Sequence, residues 1–346
     1  MKVKKSLGAI LTKQNHKLII DYFYFPPKLL RGQVLIKINL TGVCGSQIGE
    51  IKGVKGKDEY LPHLLGHEGV GVVIQKHKSV KKVNEHDKVL LHWMPSKGIE
   101  AENPKYLWKN KLLNAGKITT FSEYAIISEN RLTKIKKNFD DNVAVLLGCT
   151  ASTAIGSVEK ITKINKNSCV VVAGCGLIGQ FIIEILSAKK IKKIIAIDNN
   201  NKKVSLAKKR GAHESFLIKN NSYEKITLLK NKVDYFFECS GNIDILNLGF
   251  KILKSNGTQI LIGVTKKGKL AKLNPLEINL GKKIKGSKGG QFDPDKDISK
   301  FNQILKKNKI SCNNFIQGTY KINEINLVIK KMISGQITGK PLIKFK

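Results

Sequence analysis

Apolar residues fall in short runs along the first part of the chain. Val34-Leu35-Ile36-Lys37-Ile38-Asn39-Leu40 alternates imperfectly, Gly69-Val70-Gly71-Val72-Val73-Ile74 is β-branched, and Asp87-Lys88-Val89-Leu90-Leu91 and Tyr124-Ala125-Ile126-Ile127 follow. Pro26-Pro27, Gly53 and Gly56 punctuate them. Short strands with frequent turns predict a β-rich barrel or sandwich. Near residue 150 the rhythm changes. Cys169-Val170-Val171-Val172-Ala173 reads as a fully buried strand that turns into a helix over 180–189, and Ile194–Asp198 reads as the next strand. A helix over 202–210 stops at Gly211, and strands over 235–239 and 258–264 follow. Strands alternating with helices predict a doubly wound parallel sheet covered on both faces, so the second half reads as α/β. Beyond 285 the runs shorten again. The predicted organisation is a β-rich domain at 1–149, a nucleotide-binding α/β domain at 150–285, and a tail at 286–346 that returns to the first domain.

Length agrees with two domains, since 346 residues exceed what one core usually supports. With 41% apolar residues there is material for buried cores. The net charge of +36 invites a nucleic-acid partner. The excess is nearly all Lys, however, with Arg only at 31, 131 and 210, whereas bidentate recognition of bases and phosphates favours Arg. Nucleic acid is therefore not expected. The six cysteines lack the dense spacing of a disulfide framework, which places the chain in a reducing, cytoplasmic compartment. The apolar stretch near Met1 is too short for a signal peptide, and no run reaches the roughly 20 residues a membrane span needs.

Two constellations carry chemistry. Gly174, Gly176 and Gly179 fit G-x-G-x-x-G, with Leu177 and Ile178 inside the turn, directly after an apolar strand and at the mouth of a helix. The glycines allow a tight turn and close approach of a diphosphate to the helix N-terminus. Asp198, 19 residues after Gly179, ends the next strand, where a carboxylate accepts ribose hydroxyls and repels a 2′-phosphate. NAD is expected rather than NADP. The second constellation is Cys44 in Gly-Val-Cys-Gly-Ser, His67 in Gly-His-Glu-Gly, and Cys149 in Leu-Gly-Cys-Thr-Ala-Ser-Thr. Thiolate and imidazole suit a borderline-soft cation, and three protein ligands leave the open position of a catalytic zinc. Glu68, beside His67, is an acid that can lie behind such a metal or bind it during ligand exchange. The other histidines and cysteines read as packing residues.

These motifs occur in the order and spacing of the zinc-dependent alcohol dehydrogenases of the medium-chain dehydrogenase/reductase family, which the chain resembles over essentially its whole length. The segments at 198–203, 238–242 and 286–290 match as well. The resemblance implies a GroES-like catalytic domain followed by a Rossmann domain, usually in a homodimer or homotetramer. It implies Cys44, His67 and Cys149 as ligands of a catalytic zinc, and Glu68 as the nearby acid. Ser46 matches the hydroxyl that hydrogen-bonds the substrate oxygen, and Trp93 an aromatic of the substrate pocket. Thr153 and Ile178 match positions against the nicotinamide, Lys203 a lysine near the ribose, and Val264 a backbone contact to the carboxamide.

Three departures qualify that pattern. Family members often hold a second, structural zinc with four cysteines in the lobe matching 93–117, which here contains no Cys, so one zinc per chain is expected. The proton-relay His five residues after the first ligand is Gly49, and the acid that orients the ligand His is Gln47. His92, Trp93, Glu100, Glu102, Tyr106 and Trp108 form a mixed polar and aromatic set, suited either to a polyol-like substrate or to a surface loop in place of the lost lobe. The expected reaction is reversible hydride transfer between an alcohol and NAD. The alternatives are a zinc-free reductase of quinones or enones, and a non-enzymatic nucleotide sensor or nucleic-acid binder on the same scaffold.

Overall fold

The computed structural model describes residues 1–219 and 223–345. The chain divides into two compact units. The first comprises residues 1–149, 293–302 and 311–346, and the second 150–292 and 303–310.

The first unit is β-rich and turns on one strand, Gln33–Gly42, buried along most of its length. It pairs antiparallel with Gly69–Lys76, Tyr124–Ser128 and Lys340–Lys344, inside a seven-stranded sheet that also holds Lys88–Leu91, Leu132–Lys134 and Ile316–Tyr320. Burial of side chains on both of its faces explains its imperfect alternation, because neither face is left to water. A second sheet joins His63–Leu64, Lys5–Leu11, Ile19–Tyr24, Tyr106–Trp108 and Lys111–Leu113. Residues 93–117, for which the sequence leaves a substrate-lining segment and a surface loop both open, thus contain a hairpin. Its turn residues Lys109 and Asn110 both take positive φ, the conformation of a two-residue type I′ turn. Tyr106 packs edge-on against Phe23 and Phe25, and the Trp108 indole N–H donates to Asp21 at 2.9 Å.

The second unit carries a six-stranded, all-parallel sheet. In chain order its strands are Cys169–Ala173, Lys193–Asp198, Glu214–Leu217, Val233–Glu238, Leu253–Leu261 and Lys283–Gly286. Their spatial order is third, second, first, fourth, fifth, sixth, the arrangement of a doubly wound dinucleotide fold. The helix after the first strand is Leu177–Ala188, three residues earlier than the pattern suggests, because Gly176 serves as its N-cap. Leu177 and Ile178 therefore stand in its first turn. The next helix, Asn201–Lys209, is capped by the Asn200 side chain. Residues 303–310 group with this second unit. No single helix among the described residues is long and apolar enough to cross a membrane.

Candidate functional site

Strand register brings distant residues of the first unit to one end of its main sheet. Thr41 pairs with Gly69 and Gly42 with Leu342, both antiparallel. Cys44, two residues past Gly42, therefore meets His67, two before Gly69, and Lys340, two before Leu342. The Thr41 hydroxyl donates to the Glu68 carbonyl at 2.7 Å and fixes that backbone. Cys149 arrives from another direction, just after the helix Asp141–Leu147, which Asp140 caps through the Asn142 and Val143 amides. Gly148 permits the approach, since a Cβ there would lie 3.1 Å from the Cβ of Glu68.

The result is one donor set. The Sγ atoms of Cys44 and Cys149 and a ring nitrogen of His67 all lie within 4.8 Å of one another, the single cluster of this kind among the described residues. His67 Nε2 faces Cys149 Sγ at 3.3 Å, and its other ring nitrogen, Nδ1, meets the side-chain amide nitrogen of Gln47. A hydrogen bond from the Cys149 thiol, aided by Lys340 and His67, holds Cys44 well below the usual thiol range. The same bond, with burial, holds Cys149 well above it. Burial works against a charged His67 ring, but the Cys44 thiolate more than offsets it and the ring pKa is raised. Two sulfurs and one imidazole converging on one point make a donor set that fits zinc.

Glu68 is fully buried, and burial raises its pKa although Lys340 opposes the effect. Its Oε1 pairs with the equally buried Lys340 ammonium, while Oε2 has no hydrogen-bond partner. A carboxylate oxygen left unpartnered beside the donor set is what a transient metal ligand requires. Lys340 has no counterpart in the sequence reading. Among 62 basic residues nothing marks it except Pro341 beside it, and only the register of the last strand puts it here. Ser46 sits exposed two residues past Cys44, in the helix Gly45–Ile51.

Several aromatic and polar residues at 92–117 are engaged within the fold. Buried His92 bonds the Met94 carbonyl at 2.7 Å and the Thr133 hydroxyl at 3.1 Å. Glu100 pairs with Arg131, and the Tyr106 hydroxyl accepts from the Ile126 amide at 2.8 Å. Trp93 differs, being half-buried with an indole N–H that has no acceptor.

In the second unit, Gly174 takes φ +92°, and a Cβ there would lie 2.7 Å from the Ser240 amide nitrogen. A Cβ on Gly179 would strike the Gly174 carbonyl oxygen, whereas one on Gly176 would meet open space. Two of the three glycines thus close the turn, and the third leaves room outside it for a diphosphate. Asp198 Oδ2 accepts from the Cys175 amide at 2.7 Å and Oδ1 from the Asn200 amide at 2.8 Å, leaving lone pairs on both oxygens for a ribose. Gln180, which sequence reasoning passed over, donates to the carbonyls of Cys175 and Lys203 and so ties the turn to the helix that carries Lys203. Thr153 is buried in the helix Thr150–Glu159, and Val264 lies exposed in the loop after the fifth strand. Burial raises the pKa of Glu238, whose side chain accepts from the Ser240 and Gly241 amides and fixes the loop against which Gly174 packs.

The chain matches two family models in succession, the alcohol dehydrogenase GroES-like domain over residues 30–137 and the zinc-binding dehydrogenase domain over 178–307. It is 29% identical over 350 residues to an S-(hydroxymethyl)glutathione dehydrogenase of Escherichia coli, covering 92% of this chain and 94% of that one. The chain belongs to the zinc-dependent alcohol dehydrogenases of the medium-chain family. Two solved structures share the fold at 22% identity. A zinc-binding-domain alcohol dehydrogenase of Burkholderia ambifaria has a TM-score of 0.87 over 99% of each chain. Benzyl alcohol dehydrogenase of Acinetobacter calcoaceticus has 0.86 over 99% of this chain and 100% of that one. As a zinc-dependent alcohol dehydrogenase, the chain is an NAD-dependent oxidoreductase acting on the CH–OH group of an alcohol. The first unit is its GroES-like part and the second its Rossmann part, and the zinc-free reductase alternative falls away.

Proposed function

We propose that Cys44, His67 and Cys149 hold one catalytic zinc, that the turn at Gly174–Gly179 with Asp198 and Lys203 binds NAD, and that Ser46 handles the substrate proton. The observation that carries this reading is the convergence of two sulfurs and one imidazole from three distant segments, with Glu68 Oε2 unpartnered beside them. When bound, zinc supplies a Lewis acid for the substrate oxygen and NAD supplies the hydride acceptor. The rest falls to side chains. Ser46 Oγ would accept the proton of the alcohol hydroxyl and release its own. Gly49 leaves no imidazole to carry that proton onward, so solvent receives it. Glu68, held by Lys340, stands ready as a replacement ligand during exchange. Trp93 lines the alcohol site. Thr153, Ile178 and Val264 border the nicotinamide.

One zinc per chain is proposed rather than two. The lobe that holds the second ion in relatives has no cysteine here, and an aromatic-packed hairpin organises it. The lack of a disulfide among the described residues supports a reducing cytoplasm, and an excess that is nearly all Lys speaks against a nucleic-acid partner.

NADH production across a panel of alcohols, with S-(hydroxymethyl)glutathione and benzyl alcohol included, tests the activity. Turnover of at least one alcohol is expected, and C44A is expected to lose zinc and at least about 10³-fold in rate, some 4 kcal/mol of barrier. D198A is expected to weaken NAD binding while retaining zinc. Full activity in C44A overturns the assignment.

A further inference from the structure

The orienting contact of His67 points to a property that the family match does not contain. Gln47, 2% exposed, is packed between two groups: its Oε1 accepts from the Cys44 backbone amide at 3.1 Å, and its Nε2 meets His67 Nδ1. Resting on the zinc assignment above, we propose that Gln47 holds the His67 ring in the tautomer protonated on Nε2, the nitrogen that faces the cysteines. Zinc then binds this chain more weakly than it would with a carboxylate at position 47.

An amide presents one acceptor oxygen and one donor nitrogen. With the oxygen turned to the Cys44 N–H, the nitrogen is left facing Nδ1, and a donor there requires Nδ1 to be the ring's lone-pair nitrogen. The ring proton must then sit on Nε2, pointing at Cys149. Ligation through Nε2 requires the reverse, a lone pair on Nε2 and the proton on Nδ1. Nδ1–H would meet an amide N–H, donor against donor. Flipping the amide cures that clash by moving it to the Cys44 N–H, so in either orientation one buried donor has no acceptor when the metal is bound. Two carboxylate oxygens would accept from both at once. Gln47 is thus a positioning residue that opposes metal loading, and it acts through the ring of His67 rather than on the substrate.

Two readings on metal-free, reduced protein test this. Nitrogen NMR of the His67 ring, assigned against H67Q and taken where the ring is neutral, is expected to show Nε2 protonated in the wild type and Nδ1 protonated in Q47E. Zinc affinity, measured by competition with a chelator of known strength, is expected to rise about 10- to 100-fold in Q47E. A wild-type ring protonated on Nδ1, or a Q47E affinity equal to or below wild type, overturns the proposal. The wild-type tautomer needs no substitution, so a failure of Q47E to fold leaves that arm decisive. Zinc bound equally well by C44A would instead remove the site assignment on which the proposal rests, a result the two arms above do not mimic.

Discussion

Lys340 and Glu68, 272 residues apart in sequence, show how single side chains decide this site. Both are fully buried, and a buried ion of either sign is tolerated only when it is paired. Burial works against the Lys340 ammonium, yet Glu68 and the two sulfurs keep its pKa above the ordinary value. The pair opposes the burial that raises the Glu68 pKa next to the donor set. His92 shows the opposite solution to burial. It is fully enclosed, and burial pushes its pKa down to about 3. The unfolded chain protonates this residue near pH 6.5 and the folded one only near 3. Between those values the unfolded state binds more protons, so stability falls as the pH drops from 6.5 towards 3, by up to about 1.4 kcal/mol per unit from this residue. Urea unfolding across that range should therefore show a flatter pH dependence for H92Q than for the wild type. Identical slopes would remove the burial argument.

At the scale of elements, the glycine turn separates two jobs that its motif merges. Gly179 packs helix on strand, and a methyl there collides with the Gly174 carbonyl. G179A should lose roughly 1–3 kcal/mol of stability, as overpacking does. Gly176 caps the helix with ordinary extended backbone and open space beside it. G176A should fold normally yet bind NADH about tenfold more weakly, some 1.4 kcal/mol by fluorescence titration. Wild-type NADH affinity in G176A would show that no diphosphate lies there. Much of this was legible beforehand because motif and element coincide: an apolar strand, a turn and a helix follow one another within 174–188. The three metal candidates were legible for the same reason, each standing in a short glycine-flanked run at the end of a strand or helix. The hairpin at 106–113 was not, because its turn uses Lys109 and Asn110 rather than a glycine. Lys340 was hidden by the register of a strand near the other end of the chain. Gln47 stands in the sequence where an orienting acid is expected, but which of its atoms faces His67 depends on the Cys44 amide, a contact that only the fold supplies.

On the scale of the whole molecule, two cores serve two tasks, one gathering a metal-binding donor set and one presenting a nucleotide turn. Among the described residues the last strand of the parallel sheet, Lys283–Gly286, has a neighbour on one side only, and Leu276 and Leu280 just before it are well exposed. An uncovered sheet edge beside apolar side chains favours assembly with a second copy. Sedimentation equilibrium should give the mass of two or four chains, and the mass of one would count against a homodimer or homotetramer. The central claim is that three distant segments grip one zinc ion, and zinc-edge anomalous diffraction from crystals of the purified protein tests it most directly. One peak per chain, bonded to Cys44 Sγ, His67 Nε2 and Cys149 Sγ, is expected; no peak among those atoms, or a second one within residues 93–117, would contradict it.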